Sequence, residues 1–188
     1  GKKVLAVDMD PQGNMTSGLG VDKNSVENTI YDLIIGESGI EEVLKKDIMK
    51  NLDIIPANID LSAAEIELID VEDKEYIVRN VIKDIKDNYD YIIIDCPPSL
   101  SMLTINAMTT ATSVLVPIQC EYYALEGLTQ LMYTINLVQE RLNPLLKMEG
   151  VVFTMYDART NLSLQVVENV KENLDTTIYK TIIPRNVR

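Results

Sequence analysis

The chain has 188 residues, of which 46% are hydrophobic and 24% charged, proportions typical of a globular domain with a substantial core. Its formal net charge of −12 makes it a poor overall match for DNA, so a nucleic-acid contact must come from a local cluster such as Arg159, Arg185 and Arg188. The absence of histidine excludes Ser-His and Cys-His catalysis, and two cysteines without CxxC spacing argue against a zinc site or a disulfide framework. No apolar run approaches the roughly 20 residues that span a bilayer, so a cytoplasmic location is expected.

Predicted strands alternate with predicted helices along the chain. Strands are predicted at residues 4–8, 52–56, 91–95, 113–118, 150–155 and 177–183. Helices are predicted at 25–35, 40–46, 61–87 with a break near 70–73, 99–111, 125–142 and 161–174. This alternation predicts an α/β fold, a doubly wound and mostly parallel sheet with helices on both faces, formed by residues 1–188 as a single domain.

The predicted helical region 61–87 has an apolar stripe at helical spacing, which we expect to face the core. The stripe consists of Ile66, Ile69, Ile77, Val81, Ile82 and Ile85.

Two of the predicted strands end at an acidic residue that a proline soon follows. Residues 4–8 end at Asp8 and continue into Met9-Asp10-Pro11, and residues 91–95 end at Asp95 before Cys96 and two prolines. Their β-branched runs lack polar alternation, which predicts strands buried on both faces of a parallel sheet. Because ligands bind at the carboxyl ends of such strands, Asp8, Asp10 and Asp95 predict a site for phosphate and a divalent cation.

Five blocks of the sequence carry a resemblance to a known family. VLAVDMDPQGNMTSGLG, YIIIDCPPSL, PIQCEYYALEGL, FTMYDARTN and IPRNVR occur in this order and cover nearly the whole chain. Together they closely resemble the ParA/Soj chromosome- and plasmid-partitioning ATPases, in the deviant-Walker P-loop group that also contains MinD. The resemblance implies a P-loop NTPase-like fold, ATP and Mg²⁺ as cofactors, and ATP hydrolysis.

The family's phosphate-binding loop, KGGxGKT, has no match in these residues. The resemblance therefore implies a fold without its first βα unit and its C-terminal segment, in a domain truncated at both ends or in a member that has lost the loop. Without the loop amides and lysine, this chain alone is not expected to bind ATP tightly or to be active.

The resemblance assigns roles to the acidic residues at the two strand ends. Asp10 stands where the family orients the attacking water, or it caps the following turn; Asn14 caps or lines the same loop. Asp8 either supports the nucleotide and magnesium site indirectly or accepts hydrogen bonds from loop amides. Asp95 is the Walker B carboxylate that holds Mg²⁺, with a loop-amide acceptor as the alternative.

The C-terminal blocks imply a second set of contacts with the nucleotide. Pro184, Arg185 and Asn186 resemble the segment beside the adenine base, and Met155 and Asp157 are expected near the same pocket. An ordinary loop at a strand end is the alternative for each of them.

The resemblance also implies partners. Residues 121–128 are expected in a homodimer face, and Arg159 is a candidate contact with non-specific DNA, unless it pairs with nearby acids. The family further implies a ParB/Spo0J-like centromere-binding protein as a partner, association with the nucleoid, and no membrane contact.

Other interpretations of the same residues stay open. One is a MinD-like membrane-associated regulatory ATPase, which would need a C-terminal amphipathic helix. Another is a non-catalytic scaffold of the same fold. The iron–sulfur reductases of the superfamily bind a cluster through cysteines, but Cys96 and Cys120 are better interpreted as small core residues.

Overall fold

The computed structural model describes residues 1–121, 124–174 and 176–186. For residues 124–126 it describes the backbone only. The chain divides into two units, Gly1–Thr110 and Ala111–Arg188. Parallel strand pairs predominate in both units and helices connect them. The prediction of an α/β fold with mostly parallel sheets is confirmed, and the strands form two hydrogen-bonded sheets.

The first unit contains a four-stranded sheet in the order β2-β3-β1-β4. The strands are β1 (Val4–Asp8), β2 (Lys45–Met49), β3 (Leu52–Ile55) and β4 (Tyr91–Asp95). β1 runs parallel to both β3 and β4, while β2 is antiparallel to β3. Because β1 is the central member of the three parallel strands, the loop that follows it lies between the loops that follow its neighbours.

The first unit has six α-helices, five between its strands and one after β4. They are α1 (Asn14–Gly18), α2 (Ile30–Ile35), α3 (Ile40–Val43), α4 (Leu61–Glu67), α5 (Ile77–Ile82) and α6 (Met102–Thr110), with 3₁₀ turns at Lys74–Tyr76 and Lys86–Asn88. The core of this unit packs one face of the sheet against helices, with Leu5, Val7 and Ile55 from the strands among its buried members.

The helix predicted at residues 25–35 begins only at Ile30. Thr29 is its N-cap, and the carboxylate of Asp32 accepts a hydrogen bond from the Thr29 N–H at 2.7 Å, which forms a capping box. Ser25 instead donates its hydroxyl to Asp22 in a preceding turn. The predicted end is confirmed, because Gly36 adopts φ 80 at the C-cap.

The helix predicted at residues 40–46 ends at Val43, and β2 follows where no strand was predicted. This strand forms by antiparallel pairing with β3, with Met49 opposite Leu52. Its sequence is polar and lacks the apolar alternation that marks a half-buried strand, so the pairing partner determines its conformation.

The predicted stripe in the region 61–87 is only partly right. Ile82 and Ile85 are buried, but Ile66 is 72% and Ile69 59% exposed. α4 instead buries Leu61 and Ala64 and ends at Glu67, so its inner face is a different apolar row. The prediction was wrong for Ile66 and Ile69 because two apolar rows compete on one short helix.

Burial on both faces is observed for β1 but not for β4. Tyr91 and Ile93 are 58% and 54% exposed, whereas the alternate residues Ile92 and Ile94 pack against the core. A cavity of about 340 Å³ lies on the exposed side. It is lined by Val4, Ala6, Met15, Gly18, Leu19, Leu52 and Ile93.

The second unit contains a three-stranded parallel sheet in the order β5-β6-β7. Its strands are β5 (Ser113–Gln119), β6 (Lys147–Tyr156) and β7 (Ile178–Pro184), and its helices are α7 (Ala124–Arg141) and α8 (Asn161–Asn173). Phe153 and Val151 of β6 are buried with Val166 and Val170 of α8. These elements match the predicted order, with boundaries shifted by a few residues.

Within the described residues, no helix combines the length and apolar composition that crossing a membrane requires.

Candidate functional site

Three carboxylates lie at one edge of the first unit's sheet. Asp8 ends β1, Asp95 ends β4, and the two are direct partners in the parallel register. The Met9 N–H donates to the Asp95 backbone carbonyl at 2.8 Å, which keeps the two chains together as they leave the sheet. Asp10 follows two residues beyond β1, so the structure brings all three predicted residues to the same edge.

The pKa of Asp95 shows that these carboxylates interact. Burial raises the pKa of its half-buried carboxyl above the ordinary value, and the charges of Asp8 and Asp10 raise it further. The same surroundings raise the pKa of the Cys96 thiol to about 12, with burial as the main cause. A negatively charged edge of this kind favours a bound cation.

Asp8 is fully buried and its carboxylate is hydrogen-bonded within its own loop. Oδ1 accepts the Asp10 N–H at 3.1 Å. Oδ2 accepts both the N–H and the hydroxyl of Thr16, at 2.8 and 2.6 Å. These contacts match the loop-amide alternative for Asp8.

Asp10 forms the tight turn after β1. Its Oδ1 accepts the Gln12 N–H at 2.9 Å, and its backbone carbonyl accepts the Gly13 N–H at 2.8 Å. Gly13 has φ +59, and a Cβ atom there would lie 2.9 Å from the Ala57 carbonyl oxygen, so the turn requires glycine. Asn14 begins α1 directly after this glycine and is exposed.

The residues at this edge fit a magnesium ion that is shared with a phosphate. Within the part of the chain that the structure describes, no group of three or more acidic, cysteine or histidine side chains is arranged to hold a metal by itself. Mg²⁺ is commonly bound by one or two carboxylates, with waters and phosphate oxygens completing the octahedron. Asp95, whose ionised form is disfavoured by burial and by its neighbours, is the carboxylate that a cation would stabilise here.

A second group of predicted residues lies at the carboxyl ends of β6 and β7. Pro184 pairs with Tyr156, and the Arg185 N–H donates to the Tyr156 carbonyl at 3.0 Å. Met155 is in the left-handed region with φ 53 and is partly exposed. Asn186, also exposed, is the last residue that the structure describes.

Arg159 pairs with Asp157 in the loop before α8. Its Nε and Nη2 donate to the two carboxylate oxygens at 2.9 and 2.7 Å, a bidentate contact. The hydrogen bonds from Arg159 hold the pKa of Asp157 well below its usual range. The arginine side chain is still largely exposed, so its outer edge faces solvent.

The segment predicted for a dimer face is described only in part. Tyr122 and Tyr123 lie outside the described residues, as do Val187 and Arg188 at the end of the chain. Glu121 is exposed.

Comparison with known proteins identifies the family. The family AAA_31, described as an AAA domain, matches residues 1–148. The sporulation initiation inhibitor protein Soj of Bacillus subtilis is 55% identical over 188 residues, which is all of this chain and 74% of Soj. The chain belongs to the ParA/Soj family of chromosome-partitioning ATPases.

One further relative agrees with this ParA/Soj assignment, and a solved structure of a protein with another name has a similar fold. The chromosome partitioning protein ParA of Myxococcus xanthus is 49% identical, and the chain spans 66% of its length. A crystal structure of cobyrinic acid a,c-diamide synthase from Mycobacterium smegmatis, with bound ATP analog and magnesium, has a TM-score of 0.91 at 37% identity and is covered over 76% of its chain. The resemblance predicted from five sequence blocks is thus confirmed.

Two sets of hydrogen bonds in this ParA/Soj chain are not indicated by any spacing pattern in the sequence. Thr16 joins Asp8 to the Ala57 amide, and Tyr89 donates to the buried Asp53. Both connections join residues far apart in the sequence, so no local spacing marks them. A hydroxyl residue inside the DMDPQGNMT block is the single local signal for Thr16.

Proposed function

We propose that this chain is the switch and dimerisation part of a partitioning ATPase that acts on chromosomes or plasmids. The protein binds Mg²⁺ and ATP, dimerises, binds DNA without sequence preference, and hydrolyses ATP when a ParB/Spo0J-like centromere-binding protein stimulates it. The proposal is supported above all by the position of Asp10 and Asp95 at the same edge of the first unit's sheet, in a chain that is 55% identical to Soj. The chain is only 37% identical to the diamide synthase, against 55% to Soj, and this difference favours a partitioning function over a synthase function.

At this edge we assign Mg²⁺ to Asp95, while Asp10 accepts a hydrogen bond from the water that attacks the γ-phosphate. Mg²⁺, when bound, neutralises phosphate charge. The turn that Gln12 and Gly13 make with Asp10 holds its carboxylate beyond the end of β1, where a fixed acceptor is needed more than a strong base. Asn14 lines the same loop, and Asp8 supports the site by fixing the Asp10 backbone.

For Met155, Pro184, Arg185 and Asn186 we propose contacts with the adenine base. Their position at the ends of two adjacent parallel strands supports this, because ligands bind at that edge of α/β sheets. Arg185 offers a planar guanidinium for stacking, and Asn186 an amide that can read the ring edge.

Nucleotide binding in this proposal requires the phosphate-binding loop that the family places before the DMDPQGN block. These 188 residues contain no such motif, and they span 74% of Soj. We therefore propose that residues 1–188 form one ATPase domain of a longer protein, located in the cytoplasm and on the nucleoid. All activity assays below use the chain extended at both ends to the length of Soj.

The first test replaces Asp10 with Ala in the extended protein. Turnover should fall by at least about tenfold, because the water loses its acceptor, while ATP-dependent dimerisation persists. Asp70→Ala at an exposed position is the matched control and should leave turnover unchanged. Unchanged turnover in Asp10→Ala would remove the role assigned to this residue.

The second test concerns DNA. Arg159→Ala should weaken non-specific binding and lower the slope of log affinity against log salt by about one, as expected for one lost phosphate contact. Arg141→Ala, a change of an exposed arginine at the end of α7, is the control. Identical salt titrations for wild type and Arg159→Ala would rule this contact out.

A further inference from the structure

Thr16 connects three segments of the first unit through one buried hydroxyl. The residue has no exposed surface and lies in α1. Its Oγ1 donates to Asp8 Oδ2 at 2.6 Å and accepts the Ala57 N–H at 2.9 Å. Its own N–H also donates to Asp8 Oδ2, at 2.8 Å. The hydroxyl therefore uses donor and acceptor together, which no apolar side chain can replace.

The Asp8 carboxylate transmits this connection to Asp10. One of its oxygens is held by Thr16 and the other accepts the Asp10 N–H at 3.1 Å. Asp8 is fully buried, so these hydrogen bonds take the place of water around its carboxylate. A rotation of the carboxylate that breaks the contacts with Thr16 also breaks the contact with Asp10.

The Ala57 contact ties the Asp10 turn to the segment after β3. Gly13 packs against the Ala57 carbonyl, where a Cβ atom would approach to 2.9 Å. The preceding carbonyl, of Pro56, accepts the Ile30 N–H at the start of α2 at 2.8 Å. The turn is therefore held between β1 and a segment that is itself fixed to a helix.

We propose that Thr16 is a positioning residue for Asp10. Its hydroxyl fixes the Asp8 carboxylate and the Ala57 amide, and so sets where the Asp10 turn stands relative to the end of β1. The proposal rests on the function proposed for Asp10, since Thr16 acts only through it. Thr16 has no exposed surface, so in this proposal it acts through Asp10 and not on the nucleotide itself.

The test compares Thr16→Val with Thr16→Ser in the extended protein. Valine keeps the shape and removes the hydroxyl, so kcat for ATP hydrolysis should fall roughly tenfold or more while KM and ATP-dependent dimerisation change by less than about threefold. Serine keeps the hydroxyl and should restore kcat to within about twofold. Equal losses in both variants would show that the methyl packing matters instead, and unchanged kcat in Thr16→Val would overturn the proposal.

Combination with Asp10→Ala separates positioning from a general structural role. Since Thr16 acts through Asp10, the double variant Asp10→Ala with Thr16→Val should be no slower than Asp10→Ala alone. A further multiplicative loss contradicts the proposal. Full turnover in Asp10→Ala would refute the function proposed for Asp10. A normal kcat in Thr16→Val, when Asp10→Ala is slow, would refute only the role proposed for Thr16.

Thr16→Cys keeps the test valid if the valine variant does not fold. A thiol is a weak donor and acceptor of similar size, so kcat should be well below that of Thr16→Ser. Equal kcat in the cysteine and serine variants, with both folded by circular dichroism, would overturn the proposal.

Discussion

Tyr89→Phe should destabilise the first unit, because it removes a donor from a buried carboxylate. Asp53 on β3 is only 1% exposed. Its carboxylate accepts the Tyr89 hydroxyl at 2.7 Å and the Asp47 N–H at 2.8 Å, while the Lys3 ammonium lies 3.7 Å away. After the substitution one of the two short hydrogen bonds is lost and the charge stays buried.

The expected loss in the free energy of unfolding is about 2 kcal/mol, within the range of roughly 1.5–3 kcal/mol for hydrogen bonds to charged groups. For a chain of this size that corresponds to about 4–8 °C in the midpoint of thermal unfolding. The remaining contacts of Asp53, above all with the Asp47 N–H, keep the loss from being larger.

Tyr31→Phe is the matched control. The Tyr31 hydroxyl also donates to a carboxylate, that of Glu67, at 3.0 Å, but this contact is exposed to solvent. Water replaces the lost partner there, so no measurable change is expected. Urea unfolding of the three proteins measures both effects: equal midpoints for Tyr89→Phe and wild type would show that the hydrogen bond from Tyr89 to Asp53 does not stabilise the fold.

The effect of Tyr89→Phe should depend on pH. Burial opposes ionisation of Asp53, but the Asp47 N–H, the Tyr89 hydroxyl and the Lys3 ammonium together lower its pKa below the ordinary value. A lowered pKa in the folded state contributes stability above the unfolded pKa of about 3.9, and that stability is lost as the pH falls through the folded pKa. The gap between wild type and Tyr89→Phe should therefore be full at pH 7 and shrink below about pH 4. A constant gap would contradict this explanation.

Three other outcomes can be measured on the same chain. Gly150→Ala should lower the free energy of unfolding by more than about 2 kcal/mol, because φ is +148 and a Cβ atom would lie 2.6 Å from the Thr177 carbonyl oxygen. Gly18→Ala is the control and should be neutral, because a Cβ atom at Gly18 would have no neighbouring atom within 4 Å. Asp95→Asn should raise the free energy of unfolding at pH 7, since burial and two neighbouring carboxylates raise the pKa of Asp95 and so disfavour its charge. The same change should abolish Mg²⁺-dependent hydrolysis in the extended protein. The partly exposed Cys96 thiol, with its pKa raised to about 12, should react slowly with an alkylating reagent at pH 8 until denaturant is added, and prompt reaction in the native protein would contradict the raised pKa.

The strands of the parallel sheets could be predicted because their apolar runs are strong local signals. The predicted bounds of β1 and β4 are those observed. β2 could not be predicted, because its conformation comes from pairing with β3. The wrong assignment of Ile66 to the core has another cause: periodicity finds apolar rows on a helix but not which row faces the sheet.

The candidate site was predictable as far as it depends on strand direction. Asp8 and Asp95 meet because parallel strands end at the same edge. The contacts that fix the turn were not predictable, since Thr16 reaches Ala57 across 41 positions in the sequence. Such contacts depend on how loops pack, which a single sequence does not encode in any local spacing.

Locating the metal tests the proposed site most directly. Crystals of the extended protein grown with Mn²⁺ and a non-hydrolysable ATP analogue would show the ion by anomalous scattering. We expect a peak at the carboxyl ends of β1 and β4, with the ion bound to Asp95 directly or through one water and with Asp10 facing the γ-phosphate. A peak at any other edge, with Asp95 and Asp10 both remote from the nucleotide, would contradict the proposed site.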